Sequence, residues 1–255
     1  MLSNIVGYPF LIRIFNNLFT DNDKIKIISL NKFLNSKRTK FTFNNKIEII
    51  RNYKRKWFYN LLTNIIVDNI FKFPKSVTHL TFSSKFNKSI KHKIPNSVTH
   101  LIFEHKCPFN KSIEGCIPDS VTYLKFGYRF NQPIKNNIPN SVKYLSFGSN
   151  FRFEIKDSLP NNLKRLTLGY HFNQSIQNNI PNSVTRLTWK SSYFERLNDC
   201  IPNSIIKLII GKYVHANFSP TTRFPSSLKY LKCTQDFYDE NKDVIPKNIE
   251  IILKN

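Results

Sequence analysis

Eight residues recur at one position of a repeated phrase, and their types are those that bind other molecules. Each lies five residues after a proline and directly before a leucine: His79, His100, Tyr123, Tyr144, Arg165, Arg186, Lys207 and Tyr230. Tyr and Arg side chains bury area and still form hydrogen bonds, so binding surfaces favour them. Identical residues often occupy this position in two successive repeats, however, and duplication of repeats alone would produce the same pattern. Selection for binding and copying both explain the row at this stage.

Catalysis needs unlike groups that converge at one point, whereas this chain repeats like groups in rows. The sequence has no glycine-rich phosphate loop, no HExxH motif and no Gly-x-Ser-x-Gly motif. Six acids of the repeats are scattered over three turns, and only Asp157 and Asp199 share a position: Glu104, Glu114, Glu154, Asp157, Glu195 and Asp199. We therefore expect neither an enzyme nor a cofactor.

Nine prolines mark the repeat that must position the row. They are Pro74, Pro95, Pro118, Pro139, Pro160, Pro181, Pro202, Pro225 and Pro246, at intervals of 21 or 23 residues. A fixed period of this length predicts a solenoid, in which each turn of chain stacks on the next. The domain boundaries that follow are a solenoid at 74–255, preceded by a capping segment or degenerate first turn at 57–73.

Apolar residues lie three and six positions after each proline, and eight positions after all but Pro246. The sixth position reads Leu80, Leu101, Leu124, Leu145, Leu166, Leu187, Leu208, Leu231 and Ile252. Apolar residues two apart predict a short strand with one buried face, so the residue between them and the one before point outward. We also expect Asn87, Asn110, Asn131 and Asn173 to point inward and form an amide ladder. The glycines after the strands, Gly127, Gly148, Gly169 and Gly211, are expected to allow a bend.

The phrases FNKSIKHKIPNSVTHLIF at 86–103 and FNQSIQNNIPNSVTRLTW at 172–189 closely resemble the FNIP repeat, a relative of leucine-rich repeats. The resemblance covers residues 71–255 and departs from the pattern at Phe151-Arg152 and at two-residue insertions after Pro95 and Pro202. The family is found mainly in amoebae and giant DNA viruses, so a viral origin is one expectation. The resemblance implies a leucine-rich-repeat-like solenoid with a parallel sheet, whose concave face recognises a protein partner.

Residues 1–56 do not repeat, and their apolar spacing predicts a small helical region. The string at 14–34 resembles an F-box, the helical motif that docks on a Skp-type adaptor of ubiquitin ligases. The resemblance assigns adaptor contacts to Ile14, Phe15, Leu18, Ile25 and Ile28, although the usual Leu-Pro start is absent. The alternative is a plain helical cap that covers the first turn of the solenoid.

The charge is strongly positive: 39 Lys and Arg against 16 Asp and Glu give a formal net charge of +23. Such a charge favours acidic partners, so binding of a polyanion or nucleic acid is the alternative to protein recognition. An AT-rich genome would also over-use Asn, Lys, Ile, Phe and Tyr, which offers a compositional explanation.

The four cysteines and the lack of a secretion signal predict a protein of the cytoplasm, or of the host cytoplasm if viral. His105, Cys107 and Cys116 are close in sequence but contain no CxxC pair, so we expect no metal. We further expect a monomer that does not bind membranes.

Overall fold

The computed structural model describes residues 47–49, 64–70, 73, 77–193, 200–214 and 218–254. Within them, eleven strands form one sheet in which each strand pairs with the next in chain order. The strands are β1 Ile47–Ile49, β2 Asn64–Val67, β3 His79–Phe82, β4 His100–Phe103, β5 Tyr123–Lys125, β6 Tyr144–Ser146, β7 Arg165–Leu168, β8 Arg186–Trp189, β9 Lys207–Ile210, β10 Tyr230–Thr234 and β11 Glu250–Lys254. All ten pairings are parallel. The predicted solenoid with one short strand per turn is confirmed.

The core is a set of continuous rows that run across the turns. The strand leucines from Leu80 to Leu231 are at most 2% exposed. Two columns of phenylalanine rings stack beside them: Phe126 lies 3.8 Å from Phe130 in its own turn and 5.8 Å from Phe147 in the next, between ring centroids. Burial of such a side chain stabilises by roughly 1.5–3 kcal/mol only where a neighbouring turn covers it. The turns therefore stabilise one another.

Hydrogen bonds between turns explain two recurring polar residues. In five turns the serine two residues after the proline donates to a backbone carbonyl of the preceding turn, as from Ser183 Oγ to the Leu163 oxygen at 2.7 Å. The predicted asparagine ladder forms at two of its four positions: Asn110 Oδ1 accepts from the backbone N–H of Asn131 at 2.9 Å, and Asn131 Oδ1 accepts from that of Arg152 at 3.0 Å. The predicted inward orientation is wrong for Asn87 and Asn110, which are exposed, whereas Asn131 and Asn173 are half-buried. The amides satisfy backbone groups at the surface of the corner.

The glycines after the strands permit close approach of the turns. A Cβ atom on Gly148 would lie 2.1 Å from the Gly127 carbonyl oxygen, and one on Gly169 would lie 1.9 Å from that of Gly148. None of the four glycines predicted to bend the chain has a positive φ. The left-handed residues instead lie three positions before the prolines: His92, Gly115, Asn136, Asp157 and Asn178.

The sheet begins earlier than the prolines indicate. Strand β2 lies in the segment expected to be a cap or degenerate turn, and pairs with β3 from Asn64↔His79 to Val67↔Phe82. Strand β1 lies inside residues 1–56, so Ile47–Ile49 is strand where the spacing predicts a helical region. The F-box-like residues Ile14, Phe15, Leu18, Ile25 and Ile28 lie outside the described residues.

The last strand differs from the predicted register by one residue. Leu231 pairs with Ile251, and Ile252 pairs with Lys232. The prediction that Ile252 continues the leucine row is therefore wrong. Within the described chain β11 pairs on one side only, so no following turn constrains its register. The helix α1, Gln235–Asn241, separates β10 from this strand, and the Thr234 hydroxyl caps it by accepting from the Phe237 N–H.

Candidate binding face

The eight residues singled out in the sequence form a continuous row on the sheet, which we call the stripe. Each pairs in register with the next: His79↔His100, His100↔Tyr123, Tyr123↔Tyr144, Tyr144↔Arg165, Arg165↔Arg186, Arg186↔Lys207 and Lys207↔Tyr230. Seven are half-buried and Arg165 is exposed, whereas the leucines that follow them are buried. The stripe therefore lies on the outer face of the sheet, opposite the core.

A second row lies beside the stripe, two residues further along each strand. It contains Thr81, Ile102, Lys125, Ser146, Thr167, Thr188, Ile209 and Lys232, again in register. At β6 to β8 this row is three consecutive hydroxyl groups. Seven residues of this row are half-buried, whereas Thr81 is only 2% exposed. The two rows together make the outer face of β3 to β10.

The first half of the stripe consists of rings that contact one another, and we call it the ring half: His79, His100, Tyr123 and Tyr144. The two imidazoles stack with centroids 4.1 Å apart, and His100 stacks on Tyr123 at 5.3 Å. Thr99 Oγ1 lies 3.0 Å from His100 Nδ1, within hydrogen-bonding distance. Burial, with a smaller contribution from the charge on His79, lowers the pKa of His100 below its ordinary value of 6.5. The stacking environment thus favours the neutral form of the His100 imidazole.

The second half carries three adjacent cations, and we call it the cationic half: Arg165, Arg186 and Lys207. The Arg165 guanidinium lies 4.9 Å from the Tyr144 ring centroid, and the Lys207 ammonium lies 5.3 Å from that of Tyr230. Both distances suit a cation–π contact. From His79 to Tyr230 neither row of the outer face contains an acid.

A groove of about 220 Å³ opens where the two halves meet. Its lining is Tyr123, Leu124, Tyr144, Leu145, Ser146, Arg165, Thr167, Arg186 and Thr188. The guanidiniums are pure donors, and the serine, threonine and tyrosine hydroxyls donate or accept. A groove with this lining has the chemistry to hold an anionic group between two positive forks.

Two features of this face were outside the predicted site. The alternation along the strands predicts that Ser146, Thr167 and Thr188 point outward. The structure adds that they line the same groove as Arg165 and Arg186. Glu250 pairs with Tyr230 and adds an acid at the far end of the stripe. The alternation of Ile249, Ile251 and Leu253 with Glu250 is the sequence signal that indicates this register.

The two cysteines close to His105 in sequence, Cys107 and Cys116, are part of the core. Cys107 is fully buried, and its thiol donates to the Phe86 carbonyl oxygen at 3.3 Å. Burial raises the pKa of this thiol to about 11. Over the described ranges, no group of three or more His, Cys, Asp and Glu side chains could hold a metal ion. No helix in the described part of the chain is long and apolar enough to cross a membrane.

Comparison with known proteins supports the repeat and the fold. The family model described as the FNIP repeat matches residues 68–106, 109–150 and 154–192. No curated protein sequence matches the chain. Among solved structures, CroV588, described as a novel circular LRR protein, is similar with 28% identity and a TM-score of 0.54 over 82% of this chain.

The match spans only 38% of the length of CroV588. The leucine-rich repeat-containing protein LegL7 from Legionella pneumophila is also similar, with 18% identity and a TM-score of 0.49. That match covers 82% of this chain and 90% of LegL7.

Proposed function

Because the chain carries FNIP repeats and is a solenoid of the leucine-rich-repeat type, we propose that it is a non-enzymatic recognition protein that binds a protein partner across the outer face of its sheet. Solenoids of this class present extended surfaces that generally serve as binding scaffolds. The binding residues are those of the stripe, with Tyr123 and Tyr144 as anchors and Arg165, Arg186 and Lys207 as contacts to an acidic patch.

The observation that carries the proposal is the alignment of the stripe. Eight residues from eight turns lie side by side on a rigid sheet, and the three cations among them are adjacent. Strands are spaced by about 4.8 Å, so the cations repel one another in the free protein. An acidic partner would relieve that repulsion, and the neighbouring tyrosines would supply the apolar contact area that anchors an interface.

Charge reversal tests the proposal. A partner is first identified by affinity capture from the host cell and mass spectrometry, and is then purified. The double variant Arg165→Glu/Arg186→Glu should lose capture of this partner while its thermal unfolding is unchanged or slightly improved. The control is Arg129→Glu/Arg152→Glu, which makes the same change of charge at two exposed arginines outside the stripe. Capture by the first variant as efficient as by the wild type would contradict the proposal.

A polyanion such as single-stranded nucleic acid is the second candidate partner. Its support is the sequence of cations and rings along the stripe, because aromatic side chains among positive charges form stacking platforms for bases. Binding of a random oligonucleotide, with an affinity that falls steeply with salt, would favour this candidate. Weak binding with little dependence on salt would favour the protein partner.

We further propose that the chain recruits a Skp-type adaptor. Such recruitment would make it a substrate receptor of a ubiquitin ligase. Its support is the resemblance of residues 14–34 to an F-box, with contacts from Ile14, Phe15 and Leu18. Phe15→Ala should abolish co-purification with the adaptor while the solenoid stays folded by circular dichroism. If the intact chain never captures the adaptor, residues 1–56 serve only as a cap.

A further inference from the structure

We infer that the groove between β5 and β8 is an anion site that takes a phosphomonoester group displayed by the protein partner. The inference rests on the proposed function and adds the chemistry of the group that is recognised. Three observations support it: the positions of the charges, the donors that line the groove, and the limited width of the cationic half.

The charges in and beside the groove leave Arg186 as the site's least compensated cation. Arg165 and Lys207, its neighbours on either side, each lie against a tyrosine ring. Within the described part of the chain, no hydrogen bond, ion pair or ring contact engages the Arg186 side chain. The two rows of the outer face contain no acid between His79 and Tyr230, so the two guanidiniums there carry a local charge of about +2, and a phosphomonoester near neutral pH carries −1.5 to −2. A single carboxylate would neutralise only half of this charge.

The donors that line the groove match a group with three acceptor oxygens. Each guanidinium presents five N–H donors in a planar fork that binds oxyanions in a bidentate manner. The hydroxyls of Ser146, Thr167 and Thr188 lie in one row beside the two forks and can donate to a third oxygen. A phosphoryl group offers three strong acceptor oxygens, whereas a carboxylate offers two. The groove volume of about 220 Å³ also leaves room for part of the side chain that carries the group.

The width of the cationic half favours a localised anion over a polynucleotide. Three neighbouring strands carry its cations, so it spans about 10 Å. Strands β3 to β6 contribute only rings to the stripe, with Lys125 as the one cation of the second row at those strands. A polynucleotide that crossed the sheet would pair few phosphates, because affinity for such a chain grows with the number of phosphates neutralised. One dianionic group on a protein fits the cationic half better.

Phenyl phosphate and benzoate are the matched probes, since they share an aromatic ring and differ in the anionic group. Binding of each to the full chain would be measured by NMR through the side-chain Nε–Hε signals of Arg165 and Arg186. Phenyl phosphate should bind about tenfold more tightly than benzoate. Arg186→Gln should weaken phenyl phosphate by at least about tenfold, and Arg186→Lys should recover only part of the loss because lysine lacks the planar fork. Arg152→Gln, the same change at an exposed arginine outside the groove, should leave both affinities unchanged.

Equal affinities for the two probes, or equal effects of Arg186→Gln and Arg152→Gln, would overturn the inference. The inference would also be overturned by a single-stranded oligonucleotide that displaces phenyl phosphate, if its affinity per phosphate exceeded the affinity of phenyl phosphate. Failure of the proposed function would be recognised separately. If phenyl phosphate binds as expected but Arg165→Glu/Arg186→Glu still captures the protein partner, the groove binds a phosphomonoester, but this partner does not supply it and the recognition face is elsewhere. If the partner is lost and phenyl phosphate does not bind, the recognition face stands and the phosphate site is wrong.

Discussion

The ring half and the cationic half of the stripe lie on strands with the same arrangement, but their side chains differ in the partners that they contact. In the ring half, His79, His100 and Tyr123 stack on one another at centroid distances of 4.1 and 5.3 Å. In the cationic half, like charges are adjacent and only the outer two, Arg165 and Lys207, lie against rings. The strands below have the same register and the same buried leucines. The core therefore specifies the fold, and the outward side chains set the binding chemistry independently of it.

The largest expected effect tests whether both halves depend on one core. Leu145 is 2% exposed beneath the junction of the two halves, so Leu145→Ala should lower the free energy of unfolding by about 2–5 kcal/mol. Lys143→Ala, at an exposed position two residues earlier, should cost under about 0.5 kcal/mol. Denaturant unfolding monitored by circular dichroism measures both, and equal costs would contradict the register of the sheet.

A smaller effect on stability is expected from the hydrogen bonds that join adjacent turns of the cationic half. The Ser183 hydroxyl donates to the Leu163 carbonyl oxygen, so Ser183→Ala should destabilise by about 1 kcal/mol. Ser204 occupies the equivalent position one turn later, and its buried hydroxyl has no hydrogen-bond partner among the described residues. Ser204→Ala should therefore be neutral or slightly stabilising in the same denaturant measurement. A larger loss from Ser204→Ala than from Ser183→Ala would mean that this ladder does not couple the turns.

The smallest effect concerns the ring half and depends on pH. Burial and the neighbouring His79 lower the pKa of His100 in the folded chain below 6.5. The unfolded chain therefore binds more protons between the folded pKa and 6.5, and stability falls as the pH drops through this range. An NMR titration should place the His100 midpoint below 6.5, and the unfolding temperature should fall from pH 7.5 to 5.5 by less in His100→Phe. A midpoint above 6.5 would contradict the stacked, partly buried pair.

Much of the fold could be predicted because the sequence repeats its constraints. Each proline, serine and pair of apolar residues predicts the same turn, so an error in one repeat is corrected by its neighbours. The misplaced residue, Ile252, lies in β11, which pairs only with β10 within the described residues, so its register rests on one neighbouring strand instead of two. The glycines show a different limit: Gly148 is required by its distance from the carbonyl of Gly127 in the neighbouring turn, which no local pattern reveals.

The candidate site was predictable in part. Alternation along each strand indicated that Tyr144, Arg165 and Arg186 point outward, and the proline spacing aligned them. The contact of Arg165 with the Tyr144 ring and the groove beside the hydroxyls depend on side-chain conformations and on the packing of four turns. The partner has no counterpart within the chain, so its identity must come from experiment.

Site-specific photo-crosslinking tests most directly whether the stripe is the recognition face. A photoreactive phenylalanine analogue would replace Tyr144 in one preparation and Tyr213 in another, and each would be irradiated with the purified partner. Tyr213 is 68% exposed and lies after β9, outside the stripe, so it crosslinks efficiently if exposure alone governs contact. The account predicts a covalent adduct from position 144 and none above background from position 213. An adduct from position 213 with none from position 144 would contradict it.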